Sequence, residues 1–404
     1  MSGASGAASD AALAATVRAE AGRIVAALAR SFGSVDVAEE AVAEAVEEAL
    51  GAWRNAGVPP NAGAWLMTAA RRNALDRMRR ERRHRERLPL LAAMPSATPA
   101  GTDADERLPL LFGCCHPALS PEAQLALTLR AVLGVTTAQI ARATLEPVST
   151  VGQRISRAKR KMAATGIRLC IPEGAERTLR LDLVLTVISV MYDSAHHRPG
   201  ADAHPDRDLA EDALWLAAVV ASEMPGDAEA HGMLALLRLH RARSRARTLG
   251  GELVPLPQQD RRLWDAALLA AGHGSLERAA SLRRPGRWQL HAAIAACHAD
   301  AASAADTDWP QVLALYDLLL RYDPSPIVRL NRAVALAEAA GAEAALREVD
   351  VLAGRLGEYH LWHAVRADLL RRLGRADAAR EADRRALALA ENEAERRLLA
   401  SRLV

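Results

Sequence analysis

The spacing of apolar residues restricts the fold of this chain more than any other feature. They recur at three- and four-residue intervals, and no run alternates β-branched residues with the two-residue period of a strand. Ala38, Ala41, Val42, Ala45, Val46 and Ala49 form one such stripe, flanked by Asp36, Glu39, Glu40, Glu44, Glu47 and Glu48. Alanine, leucine and arginine dominate and only 3% of residues are aromatic, which favours helix throughout. The fold class is therefore all-α, and 404 residues leave room for two to four domains with buried cores.

Several function classes fall away. No run of eighteen or more apolar residues is present, and Met1 to Asp10 has neither a basic n-region nor an apolar h-region, so a cytoplasmic protein is expected. Cys114, Cys115, Cys170 and Cys297 lack framework spacing and fit reduced thiols. With no Gly-rich phosphate loop, nucleophile elbow or HExxH, neither an enzyme nor a cofactor is expected. Cys114-Cys115-His116 invites a zinc site, but adjacent side chains rarely reach one metal, and packing is the better reading. His291, Cys297, His298, His360 and His363 read as packed or surface residues, and His196, His197 and His204 lie in a polar loop.

The net charge is only +3, yet base is concentrated in two places. Arg71 to Arg85 holds far more base than acid, and Ser149 to Lys161 carries Arg154, Arg157, Lys159, Arg160 and Lys161 with no acid. Two basic helices on one chain point to two contacts with one nucleic acid.

The order of elements places them. A helix over 11–30 is followed by the acidic helix from Asp36, then a Gly-, Pro- and Asn-rich loop from Trp53 to Ala64 that leads into the first basic helix. Residues 88–107 read as a flexible linker. Ser120-Pro121-Glu122 starts a helix that runs to about Gly134. Thr136 and Thr137 cap a short helix, and Ser149 caps the second basic helix after a turn containing Pro147, which makes a helix-turn-helix. From about 175 onward the chain reads as paired amphipathic helices, with Gly341 and Gly374 spaced close to the roughly 34-residue tetratricopeptide period. The domains are then 10–87, the linker 88–107, 108–168, and a solenoid of about five helix pairs over 175–404.

The residues resemble a known family. Asp36-x-Ala38-Glu39-Glu40, then Ala64-Trp65-Leu66 and Arg72-Asn73-x-x-Asp76-x-x-Arg79-Arg80, look like region 2 of extracytoplasmic function (ECF) sigma factors. Ser120-Pro121-Glu122 through Arg157-Ala158-Lys159-Arg160-Lys161 looks like their region 4. Cys114-Cys115-His116-Pro117 and the long helical tail resemble the subgroup with a C-terminal tetratricopeptide-like extension.

The resemblance implies a role for each part. Asp36, Glu39, Glu40 and Glu44 would meet the β′ clamp helices of core RNA polymerase, with the β flap as the second polymerase contact. The loop over 54–63 would capture a base flipped from the −10 element, with Asn61 the first candidate and Asn55 the second, although both also suit turn geometry. Arg72, Asn73, Asp76, Arg79 and Arg80 would lie at the −10 edge, with Asp76 able instead to orient Arg72 or Arg80. Arg82 to Arg87 read as phosphate contacts or the start of the linker. Ser149 and Thr150 would sit near phosphate, Gln153 and Arg154 would read −35 bases, and Arg157 and Lys161 would bind phosphate. The partners implied are polymerase, promoter DNA and an intramolecular or protein partner for the solenoid, with no membrane. One alternative is a stand-alone helix-turn-helix regulator with a ligand-sensing tail; the acidic helix and the second basic module argue against it.

Overall fold

The computed structural model describes residues 2–85, 107–144, 146–196 and 208–403. Nearly all of the linker read at 88–107, the side chains of Arg82 to Arg87, and the side chains of His196, His197 and His204 lie outside the described residues. The chain packs as two units, Met1–Val190 and Met191–Val404.

In the first unit, α1 (Ser2–Phe32), α2 (Val35–Ala56) and α3 (Ala62–Arg85) pack on one another. Gly33, at a φ of 70° that favours glycine, ends α1. Ser34 then caps α2, its Oγ accepting the Val37 N–H at 3.3 Å. The apolar stripe on α2 is buried apart from the half-buried Val46, and Trp53 on the same face meets Trp65 edge-on at 5.7 Å.

The rest of the unit comprises α4 (Arg107–Cys114), α5 (Pro121–Leu127), α6 (Thr137–Thr144), α7 (Val148–Thr165) and α8 (Gly174–His196). Ser120 caps α5 as expected. The helix runs on to Val132, close to Gly134 as expected, with its last turn widened to a π-helix over Thr128–Val132. Thr136 and Gln139 cap α6 reciprocally: the Thr136 hydroxyl accepts the Gln139 N–H at 3.2 Å, and Gln139 Oε1 accepts the Thr136 N–H at 2.9 Å. Ser149 is not the cap of α7. The helix starts one residue earlier, at Val148, and Pro147, with φ −60° and ψ 140°, provides its extended entry without a side-chain bond. In α8, the buried Arg180 donates to the Phe112 carbonyl at 2.6 Å and pairs with Glu176 at 3.2 Å. The division between the units falls later in that helix than the sequence break at 175.

The second unit continues through α9 (Leu209–Glu223), α10 (Ala228–Ala242), α11 (Ala266–Ser281), α12 (Arg287–Asp300), α13 (Trp309–Leu319), α14 (Pro326–Ala340), α15 (Ala342–Val351), α16 (Ala353–Leu356), α17 (His360–Arg372), α18 (Ala376–Leu389) and α19 (Glu393–Ser401). Gly341 and Gly374, at φ 95° and 71°, stand at the turns between α14 and α15 and between α17 and α18. Apolar clusters such as Leu330, Leu346, Val349, Trp362 and Leu370 fill the space between the helices. One segment breaks the pattern. Between α10 and α11 lie 3-10 turns and a hairpin of β1 (Thr248–Leu249) and β2 (Glu252–Leu253), paired antiparallel with Thr248 opposite Leu253. Arg397 of α19 reaches Glu252 in that hairpin at 3.3 Å. Among the described residues, no helix is long and apolar enough to cross a membrane.

Candidate nucleic-acid interface

Helix α3 presents Arg72, Asp76, Arg79 and Arg80 on its exposed face. Asp76 pairs with Arg79 at 3.5 Å, three residues on, while Arg80 Nε donates to the Asp76 backbone carbonyl at 3.3 Å. Arg72 pairs with Glu48 of α2. Asn73 is a correction to the sequence reading: it is 7% exposed and donates its amide to Glu48 Oε1 at 3.0 Å, so it ties α3 to α2. The buried stripe of α3 sets its orientation, because Ala70, Asn73 and Ala74 share the face turned to the core.

The loop ahead of α3 is shorter than the sequence reading, because α2 runs on through Ala56; Asn55 is exposed in its last turn, and Asn61 is exposed in the loop itself. Asn61 caps α3, its Oδ1 accepting the Ala64 N–H at 2.9 Å. That places its side chain at the mouth of the loop and uses only its acceptor end, which leaves the amide donors available to an incoming base.

In the second module, Ser149, Thr150, Gln153, Arg157 and Lys161 are exposed on α7. Thr150, Gln153, Arg154, Arg157 and Lys161 line a cleft of about 380 Å³, closed on its other side by Leu119, Ser120 and Ala123. Arg154 is half-buried and held by Glu146 across two hydrogen bonds, one at 2.5 Å. The Glu146 hydrogen bond raises the Arg154 pKa, and the same bond lowers that of Glu146. The sequence reading missed Glu146, whose acid in the helix-turn-helix turn was its visible signal. Lys161 donates to the Ala118 carbonyl.

All four acids read as a polymerase-binding surface already hold cations from this chain. Glu40 pairs with Arg77 of α3, and Glu44 lies 3.8 Å from the same guanidinium. Lys159 of α7 donates to Glu39 at 2.6 Å and Asp36 at 2.9 Å, and Arg130 lies 3.7 Å from Glu39. Lys159 and Glu39 are nearly enclosed, with side chains 10% and 13% exposed, whereas Asp36 is 57% exposed. Burial lowers the Lys159 pKa, but the Glu39 charge and the hydrogen bonds Lys159 donates to Asp36 and Glu39 outweigh it and leave the pKa raised. Close backbone packing lies nearby: a Cβ on Gly22 of α1 would overlap the Val132 carbonyl oxygen. The contact therefore joins the two basic modules through helix packing and a nearly buried ion-pair cluster.

Cys114 and Cys115 are fully buried. Burial raises both thiols, Cys115 to about 12, so neither is poised as a thiolate. Cys114 is the last residue of α4 and Cys115 follows it, and the burial of both agrees with packing. Among the described residues, no three His, Cys, Asp or Glu side chains could hold a metal ion.

Family models match three segments of the chain. A Sigma-70 region 2 model covers residues 16–84, and a Sigma-70, region 4 model covers 110–162. A family of unknown function, DUF6596, covers 180–280. An uncharacterized protein of Rhizobium meliloti (strain 1021) is 40% identical over 379 residues, spanning 91% of this chain and 90% of its own length. No solved structure matches the chain.

Proposed function

The chain belongs to the sigma-70 family of sigma factors, and from that premise we propose that it is of the extracytoplasmic function type, controlled by its C-terminal helical unit. It is a transcription initiation factor and not an enzyme; core RNA polymerase supplies the chemistry and promoter DNA is the second partner.

The observation that carries this reading is the pair of basic faces and their different surroundings. Exposed Arg72, Arg79 and Arg80 lie along α3, the helix that Asn61 caps, an arrangement suited to strand opening and capture of a flipped base. The α7 cleft, lined by Gln153 and Arg157, suits duplex entering beside a helix, where base edges and phosphates meet side chains. The turns at Gly341 and Gly374 support a tetratricopeptide-like reading of the tail.

The arrangement of the first unit is a closed one. Polymerase must displace Lys159 and Arg130 before it meets Asp36 and Glu39, so the α2–α7 contact works as a latch on the acidic surface. Control by the second unit is tested by ending the chain after Val190, which keeps the Arg180–Phe112 anchor, and measuring transcripts made with core polymerase. A gain means that the tail holds the latch and a loss means that it is required for activity. Unchanged output rejects control by that unit.

A further inference from the structure

The segment 243–265, with its 3-10 turns and hairpin, departs from the helix pairs around it. It gathers hydrogen-bond donors with little acid to meet them. Trp264 is 7% exposed, and its ring is flanked by the guanidinium carbons of Arg261 at 4.5 Å and Arg243 at 5.5 Å. The buried Trp264 Nε1–H has no acceptor, a condition native structures seldom leave unmet.

The arginines differ in how far they are committed. Arg261 donates to the His298 and Ala301 carbonyls at 2.6 and 2.7 Å. Arg243 gives only its Nε, to Gln259 at 3.3 Å, and Arg247 is half-buried; neither has a carboxylate within ion-pair distance among the described residues. Asp193 and Asp306 act only at longer range, on Arg247 and Arg261 respectively. The excess of positive charge is felt by its neighbours. Burial first, and then the arginine charges, bring His240 down to about 3 and His298 to about 4, while burial and Arg247 bring Arg243 to about 10.

We propose that this segment is a phosphate-type oxyanion site, in which Arg243 and Arg247 supply charge and forked donors and Trp264 supplies its indole N–H. Two guanidinium forks and a third donor offer more hydrogen bonds than a carboxylate can accept at once, which suits a tetrahedral phosphoryl group. The ligand class is a small phosphorylated compound or a phosphorylated side chain; both present the same group. The inference rests on the second unit alone and is independent of the sigma-factor reading.

The test is a titration of the full chain, its tryptophans labelled with ¹⁵N, against inorganic phosphate, phosphoserine and acetate at constant ionic strength. The indole resonance lost in Trp264→Phe identifies the reporter. Phosphate should move it saturably, Arg247→Gln should weaken that binding at least tenfold, and Arg245→Gln, an exposed arginine of the same segment, should leave it unchanged. Stronger binding of phosphoserine than of phosphate assigns the ligand to a phosphorylated side chain, and weaker binding assigns it to a small compound. If Arg247→Gln does not fold, Arg243→Lys, which keeps the charge but removes the fork, should show the same weakening. No saturable shift, the same shift with acetate, or full binding by the folded variant would overturn the proposal.

Discussion

Replacing Lys159 with alanine should open the contact between the two modules and strengthen binding to core polymerase. Lys159 Nζ sits 2.6 Å from Glu39 and 2.9 Å from Asp36. Removing one partner of a buried ion pair costs about 3–5 kcal/mol when the other charge stays buried. Glu39 is enclosed, but Arg130 remains 3.7 Å away and offsets part of the loss, so the lower end of that range applies, and the exposed Asp36 adds at most about 1 kcal/mol. The cost falls on the closed arrangement alone, because Glu39 reaches water once the modules part. A loss of about 3 kcal/mol raises the open fraction roughly a hundredfold, since each 1.4 kcal/mol is tenfold. The apparent Kd for core polymerase should fall by up to the same factor, until the open form dominates. Fluorescence titration of labelled chain with core polymerase reads this directly. Gly22→Ala should act in the same direction without altering any charge, because its Cβ has no room against Val132. If both variants bind polymerase within about twofold of the parent and keep its hydrodynamic radius, the latch does not exist.

Other outcomes follow from the α7 face. Glu146→Gln should free Arg154 and alter −35 preference, whereas Arg154→Ala should abolish discrimination at one or two base pairs, about 1–3 kcal/mol each; base-substituted promoters in a binding assay check both. Acidification should mimic Glu146→Gln. The Glu146 pKa is lowered by Arg154, so its contribution is present above the ordinary glutamate value and is lost as pH falls through the folded value. Arg157→Ala and Lys161→Ala should weaken binding to all sequences alike, each reducing the slope of log K against log salt by about 0.9.

Much of the fold could be read from residue patterns, and the misses have a common cause. Helical spacing located the buried face of α2, and Ser120, Thr136, Gly341 and Gly374 marked element ends because caps and left-handed turns demand those residue types. Spacing reports which face is buried but not which charge crosses between helices. Glu48 holding Asn73, and Lys159 reaching Glu39 from 120 residues away, were therefore invisible. The hairpin did carry a signal: Gly250-Gly251, at φ 59° and 86°, is the turn between Thr248-Leu249 and Glu252-Leu253. The runs on either side are only two residues long, too short to show a strand period.

Promoter-directed initiation is read by mixing the purified chain with core RNA polymerase on a template carrying candidate promoters and mapping the transcripts. Start sites should appear only when the chain is present, and should vanish with Arg72→Ala combined with Arg79→Ala. Tight binding of duplex DNA by the chain alone, with no chain-dependent transcript from any template, would contradict promoter-directed initiation.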